Sequence, residues 1–389
     1  MADTVEAPFL PFAKPSISQA AIDEVAECLR SGWITTGPRT KKFEGMLCDY
    51  LSAPSAQACA SGTAGLLMAL LSLDLEPGDE VITTAMTFVA TLNTIVLAGG
   101  KPVVVDVEPG TYNIDPALVE AAITPKTRAI MPVHFAGLPV DLDKLYALAQ
   151  KHNLRVIEDA AHAIGTEYKG KRIGSFGDTQ VFSFHPNKNM TTGEGGCVTT
   201  QDKSMQKRIN LLRFHGIDRE AWNRFAKEGT PQYDITLAGY KFNMMDMQAA
   251  LGLHQLPALD GFITTRTRFV ERYYEKLSSW EALVLPQAPD YECRHAWHLF
   301  APCINPEVAG MDRDQLMSAL KEHGIGTGLH YQAPHLSTYY HEQWGMQPGD
   351  CPHAERISDT VLSLPLFPDM TEADQDRVIT ALAKVLKIG

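Results

Sequence analysis

The chain of 389 residues carries 34 basic and 46 acidic side chains, a net charge of −12, with 45% hydrophobic and 21% charged residues. That length suits two or three domains, and the composition is globular rather than disordered. So acidic a chain repels polyanions, which excludes nucleic acid as an expected partner but leaves room for a local pocket that takes a phosphorylated small molecule.

The seven cysteines are scattered, odd in number and without a C-x-x-C pair. Neither a disulfide framework nor a zinc site is expected, and no metal is assigned. The first residues contain Asp3 and Glu6 and no long apolar run, unlike a secretion signal. No stretch reaches the eighteen or so apolar residues of a membrane helix, so no membrane partner and a reducing cytoplasm are expected.

In chain order, Ile22, Val25 and Leu29 recur on one helical face. Ser61-Gly62-Thr63 precedes the apolar helical run AGLLMALLSL, placing hydroxyls and free backbone N–H groups at a helix N-terminus, which suits a phosphate. Serine and threonine also cap helices that bind nothing. Short β-branched runs at 80–84, 102–107, 128–133 and 155–158 read as buried strands, and 88–98, 115–123 and 141–151 as crossover helices. This is the alternation of an α/β domain with a largely parallel sheet.

The fourth strand ends in Glu158-Asp159, and carboxyl ends of strands are where open α/β sheets hold ligands. A carboxylate there needs a positive or protonated partner; a helix cap or an arginine pair would serve equally. The strand Val181-Phe182-Ser183-Phe184 leads into His185-Pro186-Asn187-Lys188-Asn189 and a Gly193-Glu194-Gly195-Gly196 run. Glycines let the backbone close on a ligand and leave Lys188 free to meet a carbonyl. Phe88 follows the 80–84 strand and offers a flat wall, as a core residue also would.

A polar stretch over 217–238, with Gly229 and Pro231, precedes a helix starting near Met244. We expect a large α/β domain with an N-terminal arm over 1–255 and a smaller α+β domain over 256–389, with a hinge at 255–265. The second region is expected to contain elements at 297–304, 312–323, 325–330 and 372–386.

A phosphate cradle, a flat apolar wall, a carboxylate and an amine are the needs of pyridoxal 5'-phosphate. The amine joins the aldehyde and the carboxylate keeps the pyridine nitrogen protonated. The motifs Ser61-Gly62-Thr63-Ala64, Glu158-Asp159-Ala160-Ala161-His162-Ala163, Phe182-Ser183-Phe184…Lys188 and Gly193-Glu194-Gly195-Gly196 together resemble the DegT/StrS-type sugar aminotransferases, from about Leu10 to the C-terminus. The resemblance implies the fold type I, aspartate aminotransferase-like architecture.

It also implies roles: Lys188 as the lysine that joins the cofactor, Asp159 on the pyridine nitrogen, Gly62, Thr63 and Ser183 on the phosphate, Phe88 and His162 along the ring. Members are usually homodimers with shared sites, and Gly239-Tyr240-Lys241-Phe242-Asn243 resembles the piece that reaches the neighbour's cofactor. Many members read G-Y-N-Y-R there, so either Lys241 or Asn243 could make that contact.

The stretches 32–38, 295–300, 324–330 and 363–370 resemble a subgroup that aminates a UDP-linked 4-keto-pentose with glutamate as donor, although Phe88 stands where that subgroup usually has tryptophan. The implied reactants are a nucleotide-linked keto-sugar and glutamate/2-oxoglutarate. Candidate substrate contacts are Trp33, Thr35, His185, His330 and Tyr331, with packing as the alternative for Trp33 and a buried hydrogen bond for His330. A pyridoxamine-dependent dehydratase of the same fold would carry histidine in place of Lys188. A silent cofactor-binding regulator would need neither the lysine nor the carboxylate, and a nicotinamide enzyme would need the G-x-G-x-x-G that is missing here.

Overall fold

In the computed structural model, residues 8–218 and 233–388 are described. Gly229 and Pro231 of the expected loop lie outside them. The strands are β1 (Ala56–Cys59), β2 (Glu80–Thr84), β3 (Lys101–Val105), β4 (Thr127–Met131), β5 (Arg155–Asp159), the short hairpin β6 (Glu167–Tyr168) and β7 (Lys171–Arg172), β8 (Thr179–Ser183) and β9 (Gly196–Thr200). Seven form one sheet in the order β1-β9-β8-β5-β4-β2-β3. Only β9 runs against its neighbours, so the sheet is mostly parallel, as expected.

Helices cover both faces of the sheet, which is why β2, β8 and β9 are buried along their whole length, polar residues included. In order they are α1 (Gln19–Arg30), α2 (Pro38–Leu51), α3 (Gly62–Leu71), α4 (Ala90–Leu97), α5 (Pro116–Ala122), α6 (Leu142–His152), α7 (Lys203–Leu212) and α8 (Asp246–Leu277). α3 is buried from Ala64 to Leu70, so its chemistry is confined to its N-terminus.

Two cores share α8. Phe43, Leu47, Phe182 and Phe184 pack with Leu256, Leu259 and Ile263 under the sheet. Further along the same helix, Phe269, Val270, Tyr273 and Leu277 pack with Leu316, Leu320, Val378 and Leu382.

The expected hinge at 255–265 is therefore corrected: α8 runs unbroken for 32 residues, through Pro257, and the change of core falls between Ile263 and Phe269. Its buried positions continue at spacings of three and four, and packing on both cores outweighs the one backbone bond that a proline removes. The boundary at 255/256 thus lies inside a helix. The N-terminal arm also joins the second core, since Leu10 bonds to Gly324 and Gly326 at 2.9 and 2.7 Å. Helices Arg313–Glu322 and Glu372–Val385 match expectation, whereas 325–330 makes only isolated bridges, to Leu10 and Ser363.

Candidate active site

β5 ends in two carboxylates that leave on opposite faces, as successive strand residues must. Glu158 enters the core, where Oε2 lies 2.8 Å from Nε2 of His134 and Oε1 accepts from the Tyr146 hydroxyl and the Gln180 amide, each at 2.6 Å. Nδ1 of His134 accepts the Val140 N–H at 3.1 Å, so Nε2 carries the proton that faces Glu158.

Asp159 faces the other way. Its Oδ2 accepts from the Thr91 hydroxyl at 2.8 Å and its Oδ1 from the Ala161 N–H at 3.1 Å, while Thr91 shares a 2.6 Å hydrogen bond with Thr87. Its direct partners are thus a hydroxyl and a backbone amide. Burial pushes the Asp159 carboxyl upward, and those two bonds, with the charge of Lys188, pull it down.

The loop between β8 and β9 is closed at its base by Phe184 N–H on Gly195 at 2.9 Å and Thr192 N–H on Phe184 at 3.0 Å. Lys188 donates its own N–H to the His185 carbonyl at 2.9 Å, and Gly193 takes φ +81°, a conformation that glycine reaches without strain. This tight turn sets Lys188 against Asp159. The side chain is half-buried, and loss of water lowers its amine to about 8, with Asp159 opposing the fall.

At the start of α3, the Ser61 hydroxyl accepts the Ala64 N–H at 3.1 Å. The N–H groups of Gly62 and Thr63 come before the first intrahelical bond. A Cβ on Gly62 would stand 3.0 Å from that of Ser183, and one on Gly196 would stand 2.7 Å from the Gly62 nitrogen. Glycine at both places lets the helix end, the Ser183 hydroxyl and β9 meet. His162 is buried, its Nδ1 accepting the Ala136 N–H at 3.2 Å and its Nε2 lying 2.9 Å from the Tyr331 hydroxyl. Burial above all, with the charge of Lys188, holds it well below the usual histidine range. Phe88 is 55% exposed and rests against Tyr331 at 5.7 Å between centroids.

Lys188, Asp159, His162, Tyr331 and Phe88 are thus brought together by contact or charge. Other candidates have local duties. His330 is buried with Nδ1 on the Ser363 hydroxyl at 2.8 Å, and burial lowers it to about 4. His185 is exposed and bonds Asn187 at 2.8 Å. Trp33 donates Nε1–H to the Thr36 carbonyl at 3.2 Å, and the Thr35 carbonyl accepts the Asp246 N–H at 3.2 Å, so both belong to a loop held by the N-terminus of α8. Asn243 joins that loop, donating to the Thr36 hydroxyl and accepting from Lys241, and it bridges Cys59 just before the α3 cradle.

Sequence reading missed Thr91, the His134–Glu158 pair and His298. His298 is buried with both ring nitrogens unpartnered, 4.3 Å between centroids from His162. Only tertiary contact reveals these, although Thr91 one helical turn after Thr87 was a visible signal.

These residues fit pyridoxal 5'-phosphate. Gly62, Thr63 and Ser183 offer donors in a glycine-lined cradle, Asp159 is a desolvated carboxylate, and Lys188 is an amine with a depressed proton affinity.

Comparison with known proteins agrees. The model of the DegT/DnrJ/EryC1/StrS aminotransferase family matches residues 15–383. The spore coat polysaccharide biosynthesis protein SpsC of Bacillus subtilis is 44% identical over 380 residues, 97% of each chain. Among solved structures, the putative sugar aminotransferase Spr1654 of Streptococcus pneumoniae, known in PMP and PLP forms, is 33% identical with a TM-score of 0.89, covering 97% of this chain and 99% of that one. Helicobacter pylori PseC, an aminotransferase involved in pseudoaminic acid biosynthesis, is 26% identical with a TM-score of 0.90 over 97% and 99% of the two chains. The protein therefore belongs to the DegT/DnrJ/EryC1/StrS aminotransferase family and is a pyridoxal phosphate-dependent sugar aminotransferase of fold type I.

Proposed function

We propose that this chain moves an amino group from glutamate to the keto group of a nucleotide-linked sugar, a UDP-linked 4-keto sugar, in cell-envelope or amino-sugar biosynthesis. The observation that carries the reading is the opposition of Lys188 and Asp159, an amine lowered to about 8 facing a buried carboxylate. When bound, the cofactor supplies an electron-withdrawing ring. Asp159 holds a proton on the ring nitrogen. Near pH 8 the Lys188 Nζ is partly neutral and can take a proton from the donor's α-carbon and return one to the sugar carbon. Gly62, Thr63 and Ser183 anchor the phosphate, Phe88 and His162 flank the ring, and either Asn243 or Lys241 reaches the site of a second copy in a cytoplasmic homodimer.

The sugar is chosen by the stretches 32–38, 295–300, 324–330 and 363–370, which resemble the subgroup acting on a UDP-linked 4-keto-pentose. Their candidates for its contacts are Trp33, Thr35, His330 and Tyr331, with His185 at the lysine turn. The test is to bleach the holoenzyme with glutamate, remove the donor, and add UDP-, dTDP- and GDP-linked 3- and 4-keto sugars one at a time. Return of the cofactor's visible band with a UDP-4-keto sugar, and formation of its amino product, is expected. If every nucleotide sugar left the band bleached while 2-oxoglutarate restored it, the nucleotide-sugar reading would be wrong.

A further inference from the structure

The hydrogen bonds around His162 have a direction that can be worked out from one donor whose identity is beyond choice. The Ala136 N–H meets Nδ1 at 3.2 Å, and a backbone N–H can only donate. Nδ1 is therefore the ring's lone-pair nitrogen. His162 is held neutral by burial and by the charge of Lys188, so the single ring proton lies on Nε2. Nε2 lies 2.9 Å from the Tyr331 oxygen and donates to it. The phenol thus accepts from His162 and keeps its own hydrogen for another partner.

The phenol belongs to the site. Tyr331 packs at 5.7 Å from Phe88, 5.9 Å from His162 and 6.3 Å from Phe135, and the charge of Asp159 raises its proton affinity along with burial. It stays a phenol, a donor rather than a phenolate. The residue follows Gly328 and His330, which are tied to Ser363 beside the second core, whereas the lysine, carboxylate and cradle belong to the sheet. Although its backbone is tied to the second core, Tyr331 packs with Ala85, Met86 and Phe135 just beyond the carboxyl ends of β2 and β4, the edge of the sheet at which Asp159 closes β5 and Lys188 follows β8.

We infer that Tyr331, oriented by the chain Ala136 N–H to His162 to Tyr331, is the hydrogen-bond donor to the keto oxygen of the incoming sugar, and that His162 is its positioning residue. This rests on the proposed keto-sugar reading. A carbonyl oxygen gains negative charge as nitrogen attacks its carbon, and a fixed neutral donor stabilises that charge without a proton having to be moved first. Accepting from His162 polarises the phenol and strengthens the bond it gives. Glutamate enters without a ketone and bleaching is complete before the carbonyl of 2-oxoglutarate is formed, so the bleaching and recovery steps should respond differently.

The experiment uses Tyr331→Phe holoenzyme, which keeps the ring against Phe88 and loses only the oxygen. Rapid-mixing absorbance follows bleaching by glutamate and recovery with the keto sugar that wild type accepts. Expected are a recovery rate at least about 10²-fold lower, a bleaching rate within about threefold of wild type, and an unchanged pH titration of the cofactor band. ¹⁵N-histidine NMR of the wild type should show His162 protonated on Nε2, with that resonance shifted in Tyr331→Phe. Equal loss in both half-reactions, or a displaced titration of the cofactor band, would overturn the inference and make Tyr331 a partner of the cofactor. Unchanged recovery, or a proton on Nδ1, would overturn it as well. Failure of wild type itself to use any keto sugar would instead strike the proposed function, so the two are told apart.

Discussion

Thr91 and Asp159 are 68 residues apart in the chain and are joined by a 2.8 Å hydrogen bond from the threonine hydroxyl to Oδ2. Thr91 opens its hydroxyl to the sheet from the first turn of α4, and Asp159 closes β5. The bond makes ionisation tolerable in a place where burial opposes it. Replacing it by Thr91→Val, an equal volume without the donor, should raise the carboxyl's proton affinity. The acid limb of the pH–rate profile should then move to higher pH, because protonation would begin sooner. A charge-assisted bond is worth about 1.5–3 kcal/mol, so a shift of about one to two pH units is expected. An acid limb that stays in place would show that Asp159 does not need Thr91.

Lys188 gives a pH dependence of stability whose sign can be fixed. Its amine falls from 10.5 to about 8 in the folded chain, so between those values the unfolded chain holds a proton that the folded chain has released. Stability of the cofactor-free protein therefore rises with pH across that window. In Lys188→Met this contribution vanishes. The difference in melting temperature, variant minus wild type, should be most positive below pH 8 and shrink toward pH 10.5. A difference independent of pH would mean the amine is not desolvated. Turnover should be lost in both Lys188→Met and Lys188→Arg.

The glycines at the cradle separate folding from cofactor binding. Gly62→Ala brings a Cβ to 3.0 Å from the Ser183 side chain, which can give by a few tenths of an ångström. Gly196→Ala meets backbone instead, at 2.7 Å from the nitrogen of Gly62 and the carbonyl of Ser61. Overpacking of that kind costs about 1–3 kcal/mol. We expect Gly196→Ala to lower both the melting temperature and cofactor affinity, and Gly62→Ala to lower chiefly affinity. Thermal melts beside equilibrium titration with pyridoxal phosphate will decide; equal effects of the two would contradict the geometry.

What the sequence disclosed and what it concealed divide along physical lines. β2, β4 and β5 are buried over most of their length and carry the β-branched residues Val81, Ile82, Ile130, Val156 and Ile157 that mark them as strands, and the glycine turn around Lys188 needs its composition to close. Lys188 and Asp159 could be named because strand ends collect ligands in this architecture. β1 is only four residues long, and β9 follows a loop, so neither carries a period to read. Local rules disfavour Pro257 inside a helix, yet the two cores hold α8 together around it, straight through the expected hinge at 255–265. Glu158 and Asp159 are adjacent letters with opposite destinies, and only knowledge of strand direction tells which enters the site. The direction of the His162–Tyr331 bond depends on Ala136, whose backbone N–H has no signature in the sequence at all.

Glu158 itself should matter to stability rather than to chemistry. It is the common acceptor for His134, Tyr146 and Gln180 in the core. Removing one member of such a buried network leaves the others unpaired, at a cost of about 3–5 kcal/mol. Glu158→Ala should therefore unfold at markedly lower denaturant concentration, while any folded fraction retains turnover per bound cofactor. Normal stability would mean that water replaces the carboxylate.

Whether the segment that carries Lys241 and Asn243 serves a second copy can be decided by mixing inactive variants. Asn243 lies beside Cys59, immediately before the cradle, and its amide is engaged within its own chain by Thr36 and Lys241. If it acts across a dimer, Asn243→Ala damages the neighbour's site, whereas Lys188→Ala damages its own. In a mixed dimer both lesions then fall in one site and the other is intact. Mixing the two after partial unfolding should restore activity that neither homodimer shows, up to half of wild type per mixed dimer. Were Asn243 to serve its own cofactor, the mixed dimer would hold one lesion in each site and recovery would be absent. The same experiment with Lys241→Ala identifies which of the two side chains makes the contact, since only the one that crosses complements Lys188→Ala.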